Sequence, residues 1–386
     1  MELVVRKNDL LRELQLFQGI VERKNTIPIL ANVLMEAKGD EVRFLATDLE
    51  VGLRSQCVAS VAKSGSLTLP AKKFYEIVKS LPETDIRIAD DKGGVKVAAD
   101  RFDSRIQTLP REDFPTLPEG GASPSATLPR SGLKEMVAKT QFAITGEDTR
   151  YFLNGALFVL YPESMTLVAT DGHRLALVTA PRNGKTDERG SGAAAKRSPA
   201  AGSHEVEEVR AILPKKTLGE LGRLLAEGDG DIRYERGENH LFFDVGGRML
   251  ISRMIDGQFP AYERVIPKGN DKHIEFERDR LTNAVKRVAL LSNERSRAVK
   301  FQIDRGKVDV TSSSPDLGEA HETLPVEYSG EAMQICFNAQ YVLDFLSAVT
   351  TDVVSLELKD EVSQAVMKPV GGEGYEYTYV IMPMRV

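Results

Sequence analysis

The chain has 386 residues, of which 41% are hydrophobic and 28% charged, and its formal net charge is −6 at pH 7. This length exceeds the size at which one hydrophobic core stops growing, about 250–300 residues, so two or three domains are expected. No run approaches the roughly 18 apolar residues of a membrane span, the N-terminus lacks the apolar run of a secretory signal, and Cys57 and Cys336 have no metal-ligand spacing. These features predict a reduced, cytoplasmic globular protein, and they argue against a surface that is basic throughout.

Helical periodicity occurs in three successive pairs of segments. The first helix of each pair is predicted from the apolar sets Leu10, Leu11, Leu14, Phe17; Leu133, Met136, Val137, Thr140; and Leu281, Ala284, Val285, Val288. The second is predicted in "LPAKKFYEIVKSLP" (Leu69–Pro82), "LPKKTLGELGRLLAEG" (Leu213–Gly228) and "FNAQYVLDFLSAV" (Phe337–Val349).

Strand patterns fill the spaces around these helices. Between the helices of each pair lie "VRFLATDLEVGLRS", "MTLVATDGHRLALV" and "KVDVTSSSPDLGEA". After the second helix come "DIRIADDKGGVKV", "DIRYERGENHLFFDV" and "VVSLELKDEVSQAVM". Helix, strands, helix and strands therefore recur three times. The pattern predicts an α+β fold in which two helices cover one face of each antiparallel sheet and leave the other face toward solvent.

The spacing of equivalent residues supports a threefold repeat. Thr47 and Thr170 are 123 residues apart, and Leu213 and Phe337 are 124 apart. The interval between the equivalent residues Leu69 and Leu213 is larger. The difference is explained by Arg182–His204, a Gly-, Ala- and Ser-rich stretch that we interpret as a surface insertion. We expect three similar domains, at residues 1–124, 125–262 and 263–386.

Basic residues recur on the polar faces of the predicted helices despite the acidic total. They are Lys72, Lys73 and Lys79; Lys215, Lys216 and Arg223; and Lys134, Lys139, Lys286 and Arg287. Solvated helix faces are one interpretation. Contacts with the phosphates of an anionic partner, without reading of bases, are the other.

The segment "LVATDGHRLAL" places Asp171, His173 and Arg174 within four residues, which resembles catalytic equipment. Catalysis would need an accompanying nucleophile or metal cluster, and no H-x-H, H-E-x-x-H or G-x-S-x-G pattern is present. The first repeat keeps Thr47-Asp48 without the His-Arg pair. A shared Asp turn, with Gly172 permitting a positive φ, is therefore an alternative to a binding or catalytic site.

Eight ordered segments resemble bacterial DNA polymerase III beta subunits, the bacterial sliding clamps. They are "NTIPILANVL", "LPAKKFYEIVKSLP", "RYFLNGALF", "VATDGHRLAL", "DGQFPAYERVIP", "LLSNE", "FNAQYVLDFL" and "VIMPMRV". The resemblance implies a non-enzymatic processivity factor with three clamp domains per chain. It further implies a head-to-tail homodimeric ring with helices lining the hole and sheets outside, around double-stranded DNA. No cofactor, metal or catalytic residue is implied.

The same resemblance implies three sets of site residues. Those expected to contact DNA are Lys24, Lys79, Arg150, Tyr151, Phe152, Lys215 and Lys216. Those expected at the dimer interface are Lys73, Arg101, Arg105, Ile106, Leu290, Leu291, Asp316 and Glu319, with the segment 101–108 meeting "VTSSSPD". The groove expected to bind peptides of the polymerase III catalytic subunit, the clamp loader, other polymerases and repair proteins comprises Leu153, Thr170, Gly172, His173, Arg174, Leu175, Pro260, Arg264, Val265, Asn338, Tyr341, Val362, Val380, Ile381, Met382, Pro383, Met384, Arg385 and Val386.

Four residues depart from the family pattern: Ser104, Glu147, Ser296 and Gln364. They predict a less apolar interface, one altered DNA contact and a less hydrophobic groove rim. Two other functions stay open at this level, a hydrolase or transferase using Asp171 and His173, and a repeat-built scaffold that does not bind DNA.

Overall fold

A computed structural model describes residues 1–21, 26–121, 125–146, 149–182, 209–371 and 374–385. The predicted insertion lies outside these ranges from residue 183 onward, as do Lys24, Glu147 and Val386. The chain divides into two compact units. Unit 1 comprises Met1–Arg130 and Lys216–Met254, and unit 2 comprises Ser131–Lys215 and Ile255–Val386.

Six α-helices occur in the described ranges, two in each predicted domain. They are α1 (Lys7–Phe17), α2 (Ala71–Ser80), α3 (Arg130–Thr140), α4 (Lys215–Leu225), α5 (Arg278–Ala289) and α6 (Ala339–Ala348). The predicted starts of the second helices were two residues early. Leu69, Leu213 and Phe337 are buried at the ends of strands, so each helix begins after the chain has left its sheet.

The strands follow the predicted hairpins. The first predicted domain contains β1 (Glu2–Arg6), β2 (Asn32–Lys38), β3 (Glu41–Thr47), β4 (Val51–Val58), β5 (Ser60–Lys63), β6 (Gly65–Pro70), β7 (Asp85–Asp91), β8 (Gly94–Ala99) and β9 (Phe102–Ile106). The second contains β10 (Ser125–Leu128), β11 (Gly155–Leu160), β12 (Ser164–Thr170), β13 (Arg174–Pro181), β14 (Val209–Pro214), β15 (Ile232–Arg236), β16 (His240–Val245) and β17 (Arg248–Arg253). The third contains β18 (Lys272–Glu277), β19 (Ala298–Asp304), β20 (Lys307–Ser314), β21 (Gly318–Pro325), β22 (Met333–Asn338), β23 (Val353–Leu358), β24 (Ala365–Val370) and β25 (Glu376–Ile381).

Each unit contains one eight-stranded sheet that crosses a predicted domain boundary. In unit 1 the order is β10-β15-β16-β17-β4-β3-β2-β6, and in unit 2 it is β14-β11-β12-β13-β25-β24-β23-β18. The boundary pairs are β17 with β4 and β13 with β25, both antiparallel. Neighbouring domains are therefore joined by continuous backbone hydrogen bonding.

Two smaller sheets leave strands of the outer domains at an edge. The five-stranded sheet of unit 1 has the order β5-β1-β7-β8-β9, and the four-stranded sheet of unit 2 has the order β21-β20-β19-β22. Strand β9 is equivalent in the repeat to β17 and β25, and β21 is equivalent to β4 and β13. The strands that form the joints within the chain thus recur as edges in the first and third domains.

Alternation of side chains explains why the helices pack on one face of these sheets. Helix α1 buries Leu10, Leu14 and Phe17, and the Phe17 ring lies 6.2 Å from that of Phe44 on β3. Leu11, predicted on the same face, is only half-buried because it lies at the margin of the apolar stripe.

An ion pair between a half-buried arginine and a buried carboxylate reinforces the joint in unit 1. Arg248 on β17 donates to both carboxylate oxygens of Glu13 on α1, at 2.7 and 3.1 Å. Glu13 is 1% exposed, and this pairing raises the pKa of Arg248. The bidentate geometry supplies the partner that a buried carboxylate requires.

Lys139 is a correction to the prediction that the helix cations are exposed. Its side chain is 1% exposed, because Tyr375 covers the ammonium with the ring centroid 4.5 Å from Nζ, and Glu135 pairs with it. The Tyr377 hydroxyl also donates to the Lys139 carbonyl at 2.9 Å. This lysine is part of the packing of unit 2 and not of a polar helix face.

Candidate functional site

The turn between β12 and β13 is formed by Thr170–Arg174. Asp171 Oδ1 accepts the backbone N–H groups of His173 at 2.9 Å and Arg174 at 3.0 Å. The Thr170 hydroxyl donates to the Arg174 carbonyl at 2.6 Å, and Gly172 has φ +88°. The predicted role of Asp171 as a turn residue is therefore confirmed, because its Oδ1 accepts the backbone hydrogen bonds that close the turn.

The first repeat makes the same turn. Asp48 Oδ1 accepts the N–H groups of Glu50 at 2.9 Å and Val51 at 2.7 Å, and the Thr47 hydroxyl donates to the Val51 carbonyl at 3.0 Å. Leu49 takes the place of the glycine at φ +80°, which is an outlier for a residue with a branched side chain. The Thr-Asp pair is thus a structural element, and only the His-Arg pair is special to the second repeat.

Arg174 is the centre of a polar cluster in unit 2. Its Nε donates to Asp171 at 3.0 Å, its Nη1 to Asp344, and its Nη2 to the Phe142 carbonyl at 2.7 Å. The guanidinium carbon lies 4.3 Å from the ring centroid of Tyr341. Because all three nitrogens are engaged and the side chain is 9% exposed, Arg174 fixes the turn against α6.

The electrostatics of this cluster keep Arg174 charged. Burial alone would lower its pKa, but Tyr379, Asp344 and Asp171 outweigh burial and raise the pKa. Burial raises the pKa of Tyr379, so its phenol stays neutral beside the guanidinium. The positioning contacts therefore persist across the physiological pH range.

The sheet face opposite α6 carries an apolar cluster, where the sequence had predicted solvent. Tyr379 stacks on Phe345 of α6 at 5.2 Å, and its neighbour Val380 points to the other face. The buried members on that face are Leu157, Val159, Val168, Leu175, Ile212, Tyr262, Val366 and Val380, and the half-buried ones include Phe152, Tyr161, Leu177, Phe259 and Val265. Sequence analysis had named Leu175, Val380 and Val265, but it missed Leu177, which two-residue alternation from Leu175 would have indicated.

The short 3₁₀ turn Tyr151–Leu153 carries one residue predicted in the groove and two predicted to contact DNA. Leu153, expected in the groove, is 2% exposed. Phe152, expected to contact DNA, packs against the apolar cluster instead. Tyr151 remains 59% exposed, with its ring 6.1 Å from that of Phe152. One tight turn directs three adjacent side chains to three different environments.

The C-terminal tail is held to unit 2 by backbone hydrogen bonds. The Met382 N–H donates to the His173 carbonyl at 2.9 Å, and the Met384 N–H donates to the Cys336 carbonyl at 2.7 Å. Val380 and Ile381 are buried, the side chains from Met382 to Met384 are half-buried, and Arg385 is exposed. A cavity of about 1250 Å³ beside the tail has Ser296, Val362, Met384 and Arg385 in its lining.

The remaining predicted groove residues are distributed around this floor. Pro260, Arg264 and His173 are exposed, and Val265 is half-buried against the cluster. Asn338 accepts the Gln340 N–H at 2.9 Å and so caps α6. Apolar and adaptable Met side chains with a polar rim are typical of a site for short peptides.

The residues predicted to contact DNA differ in their exposure and in the contacts that their side chains make within the chain. Lys216 Nζ donates to the Ile20 carbonyl at 3.0 Å and pairs with Asp48. Lys215 Nζ donates to the Ile144 carbonyl at 3.1 Å, and Lys79 lies 5.7 Å from the centroid of the Tyr75 ring. Lys79 and Arg150 are exposed.

Of the predicted interface residues, Arg105 and Ile106 lie on β9 and Glu319 lies on β21, the two edge strands described above, whereas Lys73 lies on α2 and Leu290 and Leu291 follow α5. Arg105 of β9 lies 3.5 Å from Asp91, and Lys73 pairs with Glu76 on its own helix. Exposed apolar side chains mark the same regions: Leu290 at 76%, Leu317 at 53% and Phe102 at 40%. Sequence analysis named Leu290 and missed the other two.

The described residues show further features that bear on function. No group of three or more His, Cys, Asp or Glu side chains within them is placed to hold a metal ion. None of the helices found in those ranges is long and apolar enough to cross a bilayer.

Family models of the DNA polymerase III beta subunit match nearly the whole chain. The N-terminal domain matches residues 1–118, the central domain residues 127–191 and 194–261, and the C-terminal domain residues 263–385. The chain belongs to this family. It has the three-domain clamp fold and is a sliding clamp, a non-catalytic processivity factor.

Individual relatives agree along the full length. The beta sliding clamp of Pseudomonas putida is 37% identical over 390 residues, and that of Escherichia coli K12 is 36% identical over 392 residues, each covering 100% of both chains. A crystal structure of the Pseudomonas aeruginosa clamp bound to griselimycin matches with a TM-score of 0.89 at 35% identity, and one from Caulobacter crescentus with 0.86 at 34%, both over 100% of both chains. The hydrolase or transferase hypothesis is therefore wrong, and Asp171 serves the turn.

The role of Arg174 gives a stability prediction. Arg174→Ala should lower the free energy of unfolding of this sliding clamp by about 3 kcal/mol, because Asp171 and Asp344 lose the cation that compensates their burial. His173→Ala, in the same turn but exposed, should change it by less than about 0.5 kcal/mol. Urea denaturation followed by circular dichroism measures both.

Arg174→Lys should fall between these values, because one ammonium cannot reach three acceptors. An Arg174→Ala protein as stable as the parent would contradict the positioning role.

Proposed function

We propose that two copies of this sliding clamp close head to tail into a ring around duplex DNA in the bacterial cytoplasm. In this proposal the groove of unit 2 captures short peptides of the polymerase III catalytic subunit, the clamp loader, other polymerases and repair proteins. The observation that supports a ring is the repeated antiparallel pairing of strands between neighbouring domains. Two joints form within the chain, and the strands for a third are left at sheet edges.

The third joint would pair β9 of one protomer with β21 of its partner. Strand β9 is equivalent to β17 and β25, which pair with β4 and β13, the equivalents of β21. Edge strands offer unpaired N–H and C=O groups, and pairing with a second chain satisfies them. Because each protomer has one edge of each kind, two copies close the assembly.

The two joints within the chain agree on a register for the third. Leu250 lies opposite Leu53, and Tyr379 lies opposite Ala176. The hairpin registers make Ser104 equivalent to Leu250 and Tyr379, because these three lie opposite Val97, Phe243 and Met367. They likewise make Ala320 equivalent to Leu53 and Ala176, because these three lie opposite Ser312, Ala46 and Ala169.

This register places complementary charges across the interface. Ser104 would lie opposite Ala320 of the partner subunit, and one step along the strands Arg105 would face Glu319 of the partner subunit. No carboxylate–cation pair of Glu319 occurs within the described residues of one chain. Directly opposed residues on antiparallel strands interact through side chains about 5 Å apart, so this ion pair would fix the pairing. The ion pair would be flanked by the other predicted interface residues, Arg101, Ile106, Lys73, Leu290, Leu291 and Asp316.

Enclosure allows each DNA contact to be weak. Lys79, Arg150, Tyr151 and Lys215 are the described candidates for phosphate contacts, together with Lys24. Such contacts are independent of sequence and weaken with salt, which suits a protein that slides. Lys216 and Phe152 contribute less in this proposal, since one is paired with Asp48 and the other packs in the apolar cluster.

The groove would hold an apolar peptide side chain on Val380 and Leu177, between Pro260 and the C-terminal tail. Exposed His173 and Arg385 would hold polar groups of the peptide at the rim. Arg174 would act indirectly, by holding the turn that supports Leu175. The bound peptide would tether its parent enzyme to DNA.

Encirclement predicts retention that depends on DNA topology. After loading onto nicked circular DNA, the clamp should remain bound through gel filtration at high salt, and linearising the DNA should release it within minutes. Equal retention on both forms would contradict encirclement, and absence of any salt-sensitive association would favour a scaffold without DNA.

The interface register predicts a charge-swap rescue. Arg105→Glu should weaken the dimer at least about tenfold, because it places two carboxylates opposite each other at both interfaces. Adding Glu319→Arg should restore it. Sedimentation equilibrium measures the monomer–dimer constant.

Lys63→Glu is the matched control, since Lys63 is exposed on the opposite edge of the sheet that contains β9. It should leave the dimer intact. If the double variant dimerises no better than Arg105→Glu, the register is wrong.

The tail predicts a separation of peptide binding from assembly. Deleting Met384–Val386 should weaken binding of a labelled polymerase peptide about tenfold, because the apolar wall is shortened. The dimer should be unaffected, since Met384 is hydrogen-bonded to Cys336 of β22, which is the opposite edge of the four-stranded sheet from β21. Fluorescence anisotropy measures the affinity.

Arg385→Gln removes the positive charge but keeps the apolar tail, so it should weaken peptide binding less than the deletion does. Unchanged affinity after the deletion would refute the groove assignment.

A further inference from the structure

A second cavity, of about 400 Å³, lies on the eight-stranded sheet of unit 1. Outward-facing side chains of β2, β3, β4 and β17 form its floor, and the segment that follows β9 forms its wall. The lining includes Leu34, Glu36, Arg43, Leu45, Arg54, Gln56, Arg111, Pro115, Leu117, Glu119 and Met249. It lies across the β4–β17 joint, and the functional groove lies across the equivalent β13–β25 joint of unit 2.

The two sites share their framework. Strand registers make Leu34 equivalent to Leu157 and Leu45 equivalent to Val168, both on the groove floor. The Phe-Pro pair that precedes the wall is also repeated, as Phe114-Pro115 and Phe259-Pro260. The cavity of unit 1 is thus the repeat counterpart of the peptide groove.

The side chains that differ change its chemistry. Arg54 stands where the groove has Leu177, Glu36 where it has Val159, and Arg43 where it has Thr166. An apolar floor made by Leu34, Leu45 and Met249 therefore combines with charged walls. A ligand must carry charge as well as apolar surface to fit such a lining.

The arginines that line the cavity differ in whether they already form an ion pair. Arg43 pairs with Glu41 at 2.7 Å, and Arg111 pairs with Glu36 at 3.2 Å. Arg54 is half-buried and donates through Nη2 to the carbonyls of Leu117 and Pro118, at 3.2 and 3.3 Å. Among the described residues no carboxylate lies within ion-pair distance of Arg54, and Glu119 is the other acidic group of the lining. Arg54 is thus the cation best placed to receive an anion.

The lining of the cavity extends over four adjacent strands, β2, β3, β4 and β17. A neighbouring cavity of about 320 Å³ shares Arg54, Glu119 and Met249 with it. The segment that follows β9 packs on the sheet through Leu117, which fits because position 52 is glycine. A Cβ there would lie 2.7 Å from Leu117 Cδ1. A trough of this length, open to solvent and crossing several strands, suits an extended segment better than a compact small molecule.

We propose that this trough binds an extended peptide segment of a partner protein in which a carboxylate side chain lies beside apolar side chains. The carboxylate pairs with Arg54, and an apolar neighbour packs on Leu34, Leu45 and Met249. This site is separate from the groove of unit 2 and selects an acidic peptide where the groove selects an apolar one. One clamp chain would then hold two partners of different chemistry.

Methyl NMR on the full-length clamp tests this, with Met249 reporting on the trough and Met384 on the groove. The probe is acetyl-Leu-Glu-Leu-amide, and the neutral control is acetyl-Leu-Gln-Leu-amide. The acidic peptide should shift the Met249 resonance in the millimolar range, at least about fivefold more tightly than the control, because glutamine can still accept a hydrogen bond from Arg54 but lacks the charge that strengthens it.

Arg54→Gln should abolish the preference for the acidic peptide, and Arg54→Lys should keep part of it. Arg253→Gln, an exposed arginine of the same sheet outside the trough, should leave it unchanged. No Met249 shift up to about 10 mM, equal shifts by both peptides, or retained preference in Arg54→Gln would overturn the proposal. So would an equal shift by free isocaproate, since the peptide backbone would then contribute nothing. None of these outcomes touches the groove, which Met384 reports independently.

Discussion

Backbone pairing between the last strand of one domain and an outer strand of its neighbour is the interaction on which this clamp depends. It makes one eight-stranded sheet from two domains in each unit, so the joint is as rigid as a sheet interior. A half-buried arginine stabilises each joint, Arg248 with Glu13 in unit 1 and Arg174 with Asp344 in unit 2. The groove and the trough both lie across these joints because the outer sheet face is continuous there.

The repeat uses one framework with different side chains at each copy. The Thr-Asp turn recurs with the same hydrogen bonds, but the second copy adds an arginine that reaches α6. That addition turns a plain hairpin turn into the support of a groove. In the first copy the corresponding surface gained Arg54 and Arg43, and in the third copy the corresponding strand was left at an edge.

Sequence periodicity predicted the features that depend on local pattern: the six helices, the hairpins and the turn at Asp171. It failed where distant residues decide the environment. Lys139 looked like a polar-face cation, but Tyr375 covers it. Arg174 was predicted in the groove, but the partners that fix it, Phe142 and Asp344, lie 32 and 170 residues away.

The turn Tyr151–Leu153 shows a different limit of prediction. A single 3₁₀ turn has too few residues to show periodicity, so which of its side chains points inward could not be read from the pattern. The exposed apolar residues Phe102 and Leu317 were missed for a related reason. Nothing in a strand pattern distinguishes an edge from an interior position.

The fit of Leu117 over Gly52 has a consequence for how the three repeats relate. The second repeat has Leu175 at the position of Gly52 and Tyr262 at that of Leu117, so each side chain is matched to its own neighbour. A chimera with β13 in the place of β4 would set Leu175 against Leu117 and so bring two bulky groups to one place. The modules, though descended from a common pattern, have become non-interchangeable parts.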